Sequence, residues 1–346
     1  MSSKADSARA VESIAKFMSP RLLPQEAGTD TARPIEAIGV DGPWTAWEQV
    51  MIAGRWMASL GFDARIYWAQ KFPSGPDGPS SPSIWREPVL RVTDGKGRDV
   101  YFKAGQKGDP EKLHPSLYGE TLYRAGNAGV EQIKLPRGSA SDHALTQNWK
   151  MVLGENGAAS GSLDVTFTGA WMGILAPNGE IEEENIVAEL LEIMNFDTPG
   201  IDFEAKSLKP LGSGCRITLD FTAAPGIVSQ NNILFRLVGG VPRSFEEIPK
   251  VGAKYSFRFP FVFEVNSTVV TPKGYRALAL PGKTQIGDSK SALDQSLVHW
   301  TKRRIAEASC RWIVRSAAVD EYQSGRIAEQ VALVTAWPAT AVPLQK

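Results

Sequence analysis

The chain has few of the side chains that carry thiol, imidazole or metal chemistry. Its 346 residues include two cysteines, Cys215 and Cys310, and three histidines, His114, His143 and His299. The cysteines lie far apart and lack the paired spacing of a zinc site or a disulfide framework. The sequence therefore predicts no metal site and no cofactor. Both cysteines are expected to be half-buried packing side chains, because a free cysteine behaves as a small buried hydrophobe.

Net charge and long apolar runs are also missing. Lys and Arg together number 38, as do Asp and Glu, so no net field attracts nucleic acid or an anionic membrane. No run of about 18 apolar residues occurs, and none is therefore predicted to span a bilayer. The N-terminal segment has no secretory apolar core, and its spacing predicts an amphipathic helix instead.

Two kinds of hydrophobic periodicity divide the chain. Up to about residue 145, helical spacing alternates with short strands and tight turns. Beyond that point, short alternating runs separated by turn residues predict antiparallel sheets packed as a sandwich. Helices are predicted over 7–18, 44–60, 180–195 and 322–336. We therefore expect an α+β protein with domains at 1–145 and 146–346, the second of which divides into two subdomains near 240–255.

A series of motifs follows a recognisable order. Ala46 opens the run Ala-Trp-Glu-Gln-Val-Met, and Leu-Gly-Phe-Asp-Ala-Arg follows from Leu60. Glu87 then lies in a strand with alternating apolar residues, and Lys103 follows an aromatic pair. Later motifs are Leu-Tyr-Gly-Glu at 117–120, Pro-Lys-Gly-Tyr at 272–275 and Asp-Glu-Tyr at 320–322. In this order they resemble the transglutaminase-like superfamily, which has a papain-like fold, and in particular its bacterial branch with C-terminal β-rich domains.

The resemblance implies a Cys-His-Asp triad whose positions here hold Ala46, Glu87 and Lys103. Alanine offers no nucleophile, and no cysteine precedes Cys215. Lysine only donates hydrogen bonds and cannot orient an imidazole as a carboxylate does. Because acyl transfer by a thiol needs an activated thiolate, the resemblance implies a degenerate domain, a pseudoenzyme.

The first functional hypothesis is a non-catalytic binding or scaffolding module whose partner is another protein or peptide. Its binding residues would be Trp44, Trp47, Glu48 and Trp85, since the three tryptophans bracket the lost catalytic positions. These rings would either fill the former cleft or form an aromatic surface. The loop 72–83 would rim such a cleft.

The second hypothesis is a hydrolase or peptidase-like enzyme in which Glu48 and Glu87 replace the thiol triad. Paired carboxylates can perform acid–base catalysis when they converge, and they would need an open pocket and raised pKa values. The sequence does not indicate an oligomeric state. The resemblance implies a leading domain that this sequence does not contain. It also implies a periplasmic or extracellular location, although the missing secretory segment leaves a cytoplasmic one open.

Overall fold

The protein is α+β, with several mostly antiparallel sheets and few helices. The computed structural model describes residues 7–23, 33, 38–39, 41–70, 85–106, 112–126, 129–175, 183–196, 200–211, 214–224, 226–245, 248 and 255–346. The chain forms two compact units, which we call unit 1 (Met1–Arg137 with Ala176–Glu180) and unit 2 (Gly138–Leu175 with Ile181–Lys346). The units meet in sequence shortly before the domain boundary expected at 145. Half of the segment 240–255, where a subdivision was expected, lies outside the described residues.

Unit 1 contains two helices, which are followed along the chain by the strands of one antiparallel sheet. The elements are α1 (Ser7–Met18), α2 (Ala46–Ser59), β1 (Asp63–Gln70), β2 (Trp85–Thr93), β3 (Asp99–Lys103), β4 (Thr121–Gly126) and β5 (Gly129–Lys134). The strand order is β3-β2-β1-β4-β5. Both predicted helices are confirmed, and so are the three strands after α2. Strands β4 and β5 were not predicted.

The sheet of unit 1 has two different faces, because successive strand residues point to opposite sides. Leu90, Val92 and Phe102 pack with α1 and α2 on one side, which we call the helix face. A Cβ atom at Gly54 of α2 would lie 3.3 Å from the Leu90 side chain, so this glycine allows close packing there. On the opposite side, which we call the turn face, Val89 packs with residues of the segment 113–135.

Unit 2 is dominated by one large sheet. Its helices are α3 (Ala170–Leu175), α4 (Ile186–Ile193) and α5 (Glu321–Ala336). Its longer strands are β6 (Ala144–Leu153), β7 (Ala159–Thr168), β9 (Asp202–Leu211), β10 (Gly214–Ala223), β15 (Phe261–Val270), β18 (Ser291–Trp300) and β19 (Ile305–Val314). Its shorter strands are β8 (Met194–Phe196), β11 (Gly226–Ser229), β12 (Asn232–Arg236), β13 (Gly240–Pro242), β14 (Tyr255–Ser256), β16 (Arg276–Ala277), β17 (Thr284–Gly287), β20 (Ala318–Val319) and β21 (Ala341–Gln345).

These strands form an eight-stranded sheet, a four-stranded sheet and two strand pairs. The eight-stranded order is β17-β18-β19-β15-β6-β7-β10-β9, and the four-stranded order is β11-β12-β21-β16. The pairing of β6 with β15 is parallel, and the other pairings among the described strands of this unit are antiparallel. The expectation of antiparallel sheets thus holds, with one parallel pair at the centre of the large sheet.

Strict alternation along the large sheet buries one face and leaves the other polar. Trp149, Phe263 and Trp312 are almost fully buried. A buried side-chain amide forms hydrogen bonds with the polar groups on the buried face. Gln147 accepts from the Gly240 N–H at 2.9 Å and from Trp149 Nε1 at 3.2 Å, and its own amide donates to the Gly240 carbonyl. Such fully satisfied amides add little cost to an apolar interior.

Candidate functional site

Helix α2 begins where the resemblance places a nucleophile, and its N-terminus is closed by its own cap. The Glu48 N–H donates to Thr45 Oγ1 at 3.3 Å, and the Thr45 N–H donates to Glu48 Oε2 at 2.9 Å. This reciprocal arrangement is a capping box, which satisfies two donors that the helix leaves open. Ala46 adds only a methyl group to the first turn. A helix N-terminus that could have activated a thiol therefore serves the Glu48 carboxylate.

Glu48 is fully buried and fully engaged. Arg33 donates to its carboxylate from Nε at 2.9 Å, from Nη2 at 2.8 Å and from the backbone N–H at 2.9 Å. These bonds, with the Arg33 side chain as the largest cause, hold the pKa of Glu48 at about 2. The hydrolase hypothesis requires that this carboxylate have a raised pKa and lie in an open pocket. The structure does not support that role for Glu48, because Arg33 and Thr45 keep it ionised and enclosed.

Glu87 and Lys103 do meet, on the turn face. Val89 pairs with Lys103 between β2 and β3, so Glu87, two residues before Val89, lies on the same face as Lys103. Lys103 Nζ is 2.5 Å from Glu87 Oε1. Ala46, in contrast, begins the helix that covers the opposite face. The three positions assigned to a degenerate triad therefore do not form one site, because the period-two alternation of β2 and β3 separates them.

Two residues that sequence reasoning missed extend the ion pair. Lys103 Nζ donates to Ser116 Oγ at 3.0 Å, and Ser116 Oγ lies 2.8 Å from His114 Nδ1. Because an ammonium group only donates, Ser116 Oγ accepts the bond from Lys103. His114 Nδ1 accepts from the Ser116 N–H at 3.3 Å, which places the imidazole proton on Nε2 and makes the Ser116 hydroxyl the donor to Nδ1. We call Glu87, Lys103, Ser116 and His114 the Lys103 network.

The Lys103 network stabilises a buried cation and is poorly arranged for catalysis. A serine beside an imidazole can act as an activated nucleophile. Here, however, Ser116 is 8% exposed, and its hydroxyl oxygen already accepts a hydrogen bond from the Lys103 ammonium. The histidine also caps the short helical turn Pro115–Leu117. The four side chains are thus organised to satisfy one another, which is what burial of a charge requires.

The tryptophans near Ala46 mostly fill the interior. Trp44 is 0% exposed and donates from Nε1 to the Gly39 carbonyl at 2.8 Å. Its ring packs edge-on against Trp56, with ring centroids 6.4 Å apart. Trp47 is half-buried, and its ring centroid lies 3.9 Å from that of Trp68. The side chain of Trp85 and the loop 72–83 lie outside the described residues.

Among the predicted binding residues, Trp44 and Glu48 expose no surface to a ligand. Trp44 is instead part of the core between α1 and α2. Trp47 keeps partial exposure and remains a candidate contact residue.

Both cysteines are buried in the large sheet of unit 2. Burial raises the pKa of the Cys215 thiol in β10 and of the Cys310 thiol in β19 to about 12 each. At neutral pH both are therefore protonated, and the thiol form is a poor nucleophile. Both cysteines are packing side chains, as predicted, but they are fully buried rather than half-buried. In the described part of the chain, no group of three or more His, Cys, Asp or Glu side chains is arranged to hold a metal ion.

An open depression of about 750 Å³ lies on the polar face of the large sheet in unit 2. Its centre is a cross-strand row, Thr268, Lys150, Ser162, Asp220 and Glu204. Its volume is within the range of small-molecule sites. Sequence reasoning did not single out this row, because its residues come from five strands that are distant along the chain.

Comparisons with known proteins do not show a family for this chain. No family model matches the chain, and no curated protein matches it. The chain is similar to a solved structure from Parabacteroides distasonis described as a putative protease, with a TM-score of 0.46 and 8% identity. The match covers 99% of this chain and 56% of that one, so the chain spans little more than half its length. A TM-score of 0.46 does not establish a shared fold, and the transglutaminase-like resemblance is not confirmed.

No helix among the described residues combines the length and apolarity needed to cross a membrane.

Proposed function

We propose that this protein is a non-catalytic binding or scaffolding module whose partner is another protein or peptide. The observation that carries the proposal is the closed N-terminus of α2. Thr45, Glu48 and Arg33 occupy the hydrogen-bonding groups that a nucleophile would use there, and Ala46 supplies no reactive atom.

The state of the thiols and carboxylates supports the same proposal. Cys215 and Cys310 are buried with raised pKa values. Glu48 lies on the helix side of the unit 1 sheet, whereas Glu87 is paired with Lys103 on the turn face. The two carboxylates therefore do not converge on a common substrate position. No observation favours the hydrolase hypothesis enough to keep it as a second proposal.

Activity assays on the full chain test the non-catalytic part. We expect no amine incorporation into casein and no peptide hydrolysis above background, for the unchanged protein and for Glu87→Gln and Glu48→Gln alike. Exposed Glu307 provides a matched control substitution, Glu307→Gln, outside this region. Turnover that is lost in Glu48→Gln or Glu87→Gln but kept in Glu307→Gln would contradict the proposal.

The relationship to transglutaminase-like proteins and an exported location remain parts of this proposal. They are supported by the order of motifs from Ala46 to Tyr322. Fractionation of source cells would test the location. We expect the protein in the periplasmic or secreted fraction, and recovery with the cytoplasmic markers would contradict it.

A further inference from the structure

The four-stranded sheet of unit 2 has one face that belongs to the core. Ile233 and Phe235 of β12 and Val342 and Leu344 of β21 are all 0% exposed. Alternation therefore sends the intervening residues of the same strands to the opposite face. In a sheet with one solvated face, those positions are normally polar.

The opposite face instead carries an apolar row. Ile227 pairs with Leu234, and Leu234 pairs with Pro343. The Leu278 N–H donates to the Pro343 carbonyl at 3.0 Å, which adds Leu278 to the row. Ile227 is 65% exposed, Leu234 40% and Leu278 54%. Large apolar side chains exposed side by side across a sheet are typical of interaction surfaces rather than of free surface. We call this row and its two flanking rows the Leu234 face.

The rows beside the apolar row carry positive charge. Arg236 lies one pleat from Leu234 along β12, and Arg276 lies in β16 opposite Gln345 of β21. The remaining flanking positions are neutral. Among the described residues, the Leu234 face consists of Ile227, Ser229, Asn232, Leu234, Arg236, Arg276, Leu278, Ala341, Pro343 and Gln345. It contains two cations and no carboxylate.

Arginines on the solvated face of the eight-stranded sheet, in contrast, are paired with carboxylates. Arg311 Nε is 3.2 Å from Glu264 Oε2 on the neighbouring strand, and Arg216 Nη2 is 2.6 Å from Asp164 Oδ2. Arg236 and Arg276 are exposed and have no ion pair with a carboxylate in the described part of the chain. Among the described residues, the Leu234 face therefore presents two cations without an ion-pair partner around an apolar centre.

We propose that the Leu234 face docks an extended, acidic segment of a partner protein that carries an apolar side chain between its acidic ones. This rests on the binding function proposed above and names its partner chemistry. Charge complementarity selects the partner. Glu or Asp at positions i and i+4 would face the two arginine rows, while an apolar residue at i+2 would face Leu234, since alternate residues of an extended peptide share one side.

Other occupants fit less well. A second copy of the same face would bring arginines towards arginines, because a two-fold contact uses the same patch on both subunits. Binding to an anionic membrane would gain only about 1 kcal/mol for each basic residue near the membrane surface, and this face offers two such residues. An acidic peptide can satisfy both arginines and cover the apolar row.

A titration followed by amide NMR tests the proposal on the full chain. The probe is a peptide with the core Glu-Ser-Leu-Ser-Glu, and the comparison peptide has Lys in place of Glu. We expect shifts in β11, β12, β21 and β16 with the acidic peptide and none with the basic one. Leu234→Gln, and Arg236→Gln combined with Arg276→Gln, should each weaken binding at least about tenfold.

Matched controls are available in the same unit. The exposed fraction of Val298 in β18 is 41%, similar to the 40% of Leu234, and Arg311 is paired with Glu264 outside the Leu234 face. Val298→Gln and Arg311→Gln should therefore leave binding unchanged. The proposal is overturned by absence of shifts in these four strands, or by equal binding of both peptides. Binding to phosphatidylserine vesicles without peptide binding, or a dimer abolished by Leu234→Gln, would also overturn it.

The test separates this inference from the function on which it rests. If the chain shows no turnover and the peptide does not bind, only the docking proposal is refuted. Turnover dependent on Glu48 or Glu87 would remove the non-catalytic function instead.

Discussion

The two units stabilise their buried polar groups in different ways. Unit 1 buries the Glu48 carboxylate and the Lys103 ammonium, each with a charged partner. Among the described residues of unit 2, the buried polar side chains are amides, hydroxyls and the imidazole of His143, of which Gln147 and Gln330 are examples. Burying a charge costs far more than burying an amide unless it is paired. The stability of unit 1 should therefore depend on pH and on intact ion pairs, whereas that of unit 2 should depend on amide geometry.

The largest expected effect follows loss of the buried cation. Lys103→Ala leaves Ser116 without its donor and Glu87 without its counter-ion, and breaking a buried pair from one side typically costs about 3–5 kcal/mol. Because the Glu87 side chain is 37% exposed, we expect about 3 kcal/mol in the free energy of unfolding. Urea titration measures the loss, and hydrogen exchange in β2 and β3 locates it in unit 1.

Two further variants sharpen this result. Lys103→Met combined with Glu87→Gln removes both charges and should cost clearly less than Lys103→Ala, since replacing both partners is often nearly neutral. Lys206→Ala breaks an exposed pair with Glu204 in unit 2 and should cost less than about 0.5 kcal/mol. An equal loss for Lys103→Ala and Lys206→Ala would contradict the contrast between the units.

Acid should destabilise unit 1 through Glu48. Its pKa is lowered from about 4.5 to about 2 in the folded chain, so its contribution is complete above pH 4.5 and is lost as the pH falls towards 2. The shift corresponds to about 3 kcal/mol. Exchange rates in α2 measured between pH 5 and pH 2.5 should report this slope. In Glu48→Gln the slope should be reduced, and an unchanged slope would show that the Arg33–Glu48 pair does not govern acid stability.

A substitution in unit 2 should act without such pH dependence. Gln147→Leu leaves the Gly240 N–H and carbonyl and the Trp149 Nε1–H without their partner. Unpaired buried groups cost about 1–3 kcal/mol each in general, and with partial relaxation we expect about 2 kcal/mol in total. The loss measured by urea titration should be the same at pH 5 and pH 7. A loss that grows at pH 5 would break the distinction between charged and neutral interiors.

Helical periodicity predicted the first unit better than strand patterns predicted the second. The spacing of apolar residues in 7–18 and 44–60 corresponds to α1 and α2. The helix predicted over 180–195 is shorter: α4 is Ile186–Ile193, and Met194–Phe196 forms β8 against β13, so tertiary pairing overrides local propensity there. β5 was missed because most of its residues are exposed and its alternation is weak.

The site was predictable in its helical part only. The pattern Thr45-x-x-Glu48 before an apolar run is a capping-box signature, and it could have assigned Glu48 to the cap rather than to catalysis. The partners of Lys103 were not predictable. Ser116 and His114 come from a turn whose position depends on how the chain after β3 folds back, and no local pattern specifies that path.

The central claim is that neither cysteine can serve as the nucleophile for acyl transfer, and thiol reactivity tests it most directly. Native full-length protein is incubated with iodoacetamide at pH 7.5, and labelling of Cys215 and Cys310 is followed by mass spectrometry. We predict that neither cysteine is labelled until denaturant unfolds unit 2, because both are buried with pKa values of about 12. Rapid labelling of either cysteine in the native protein would contradict the account.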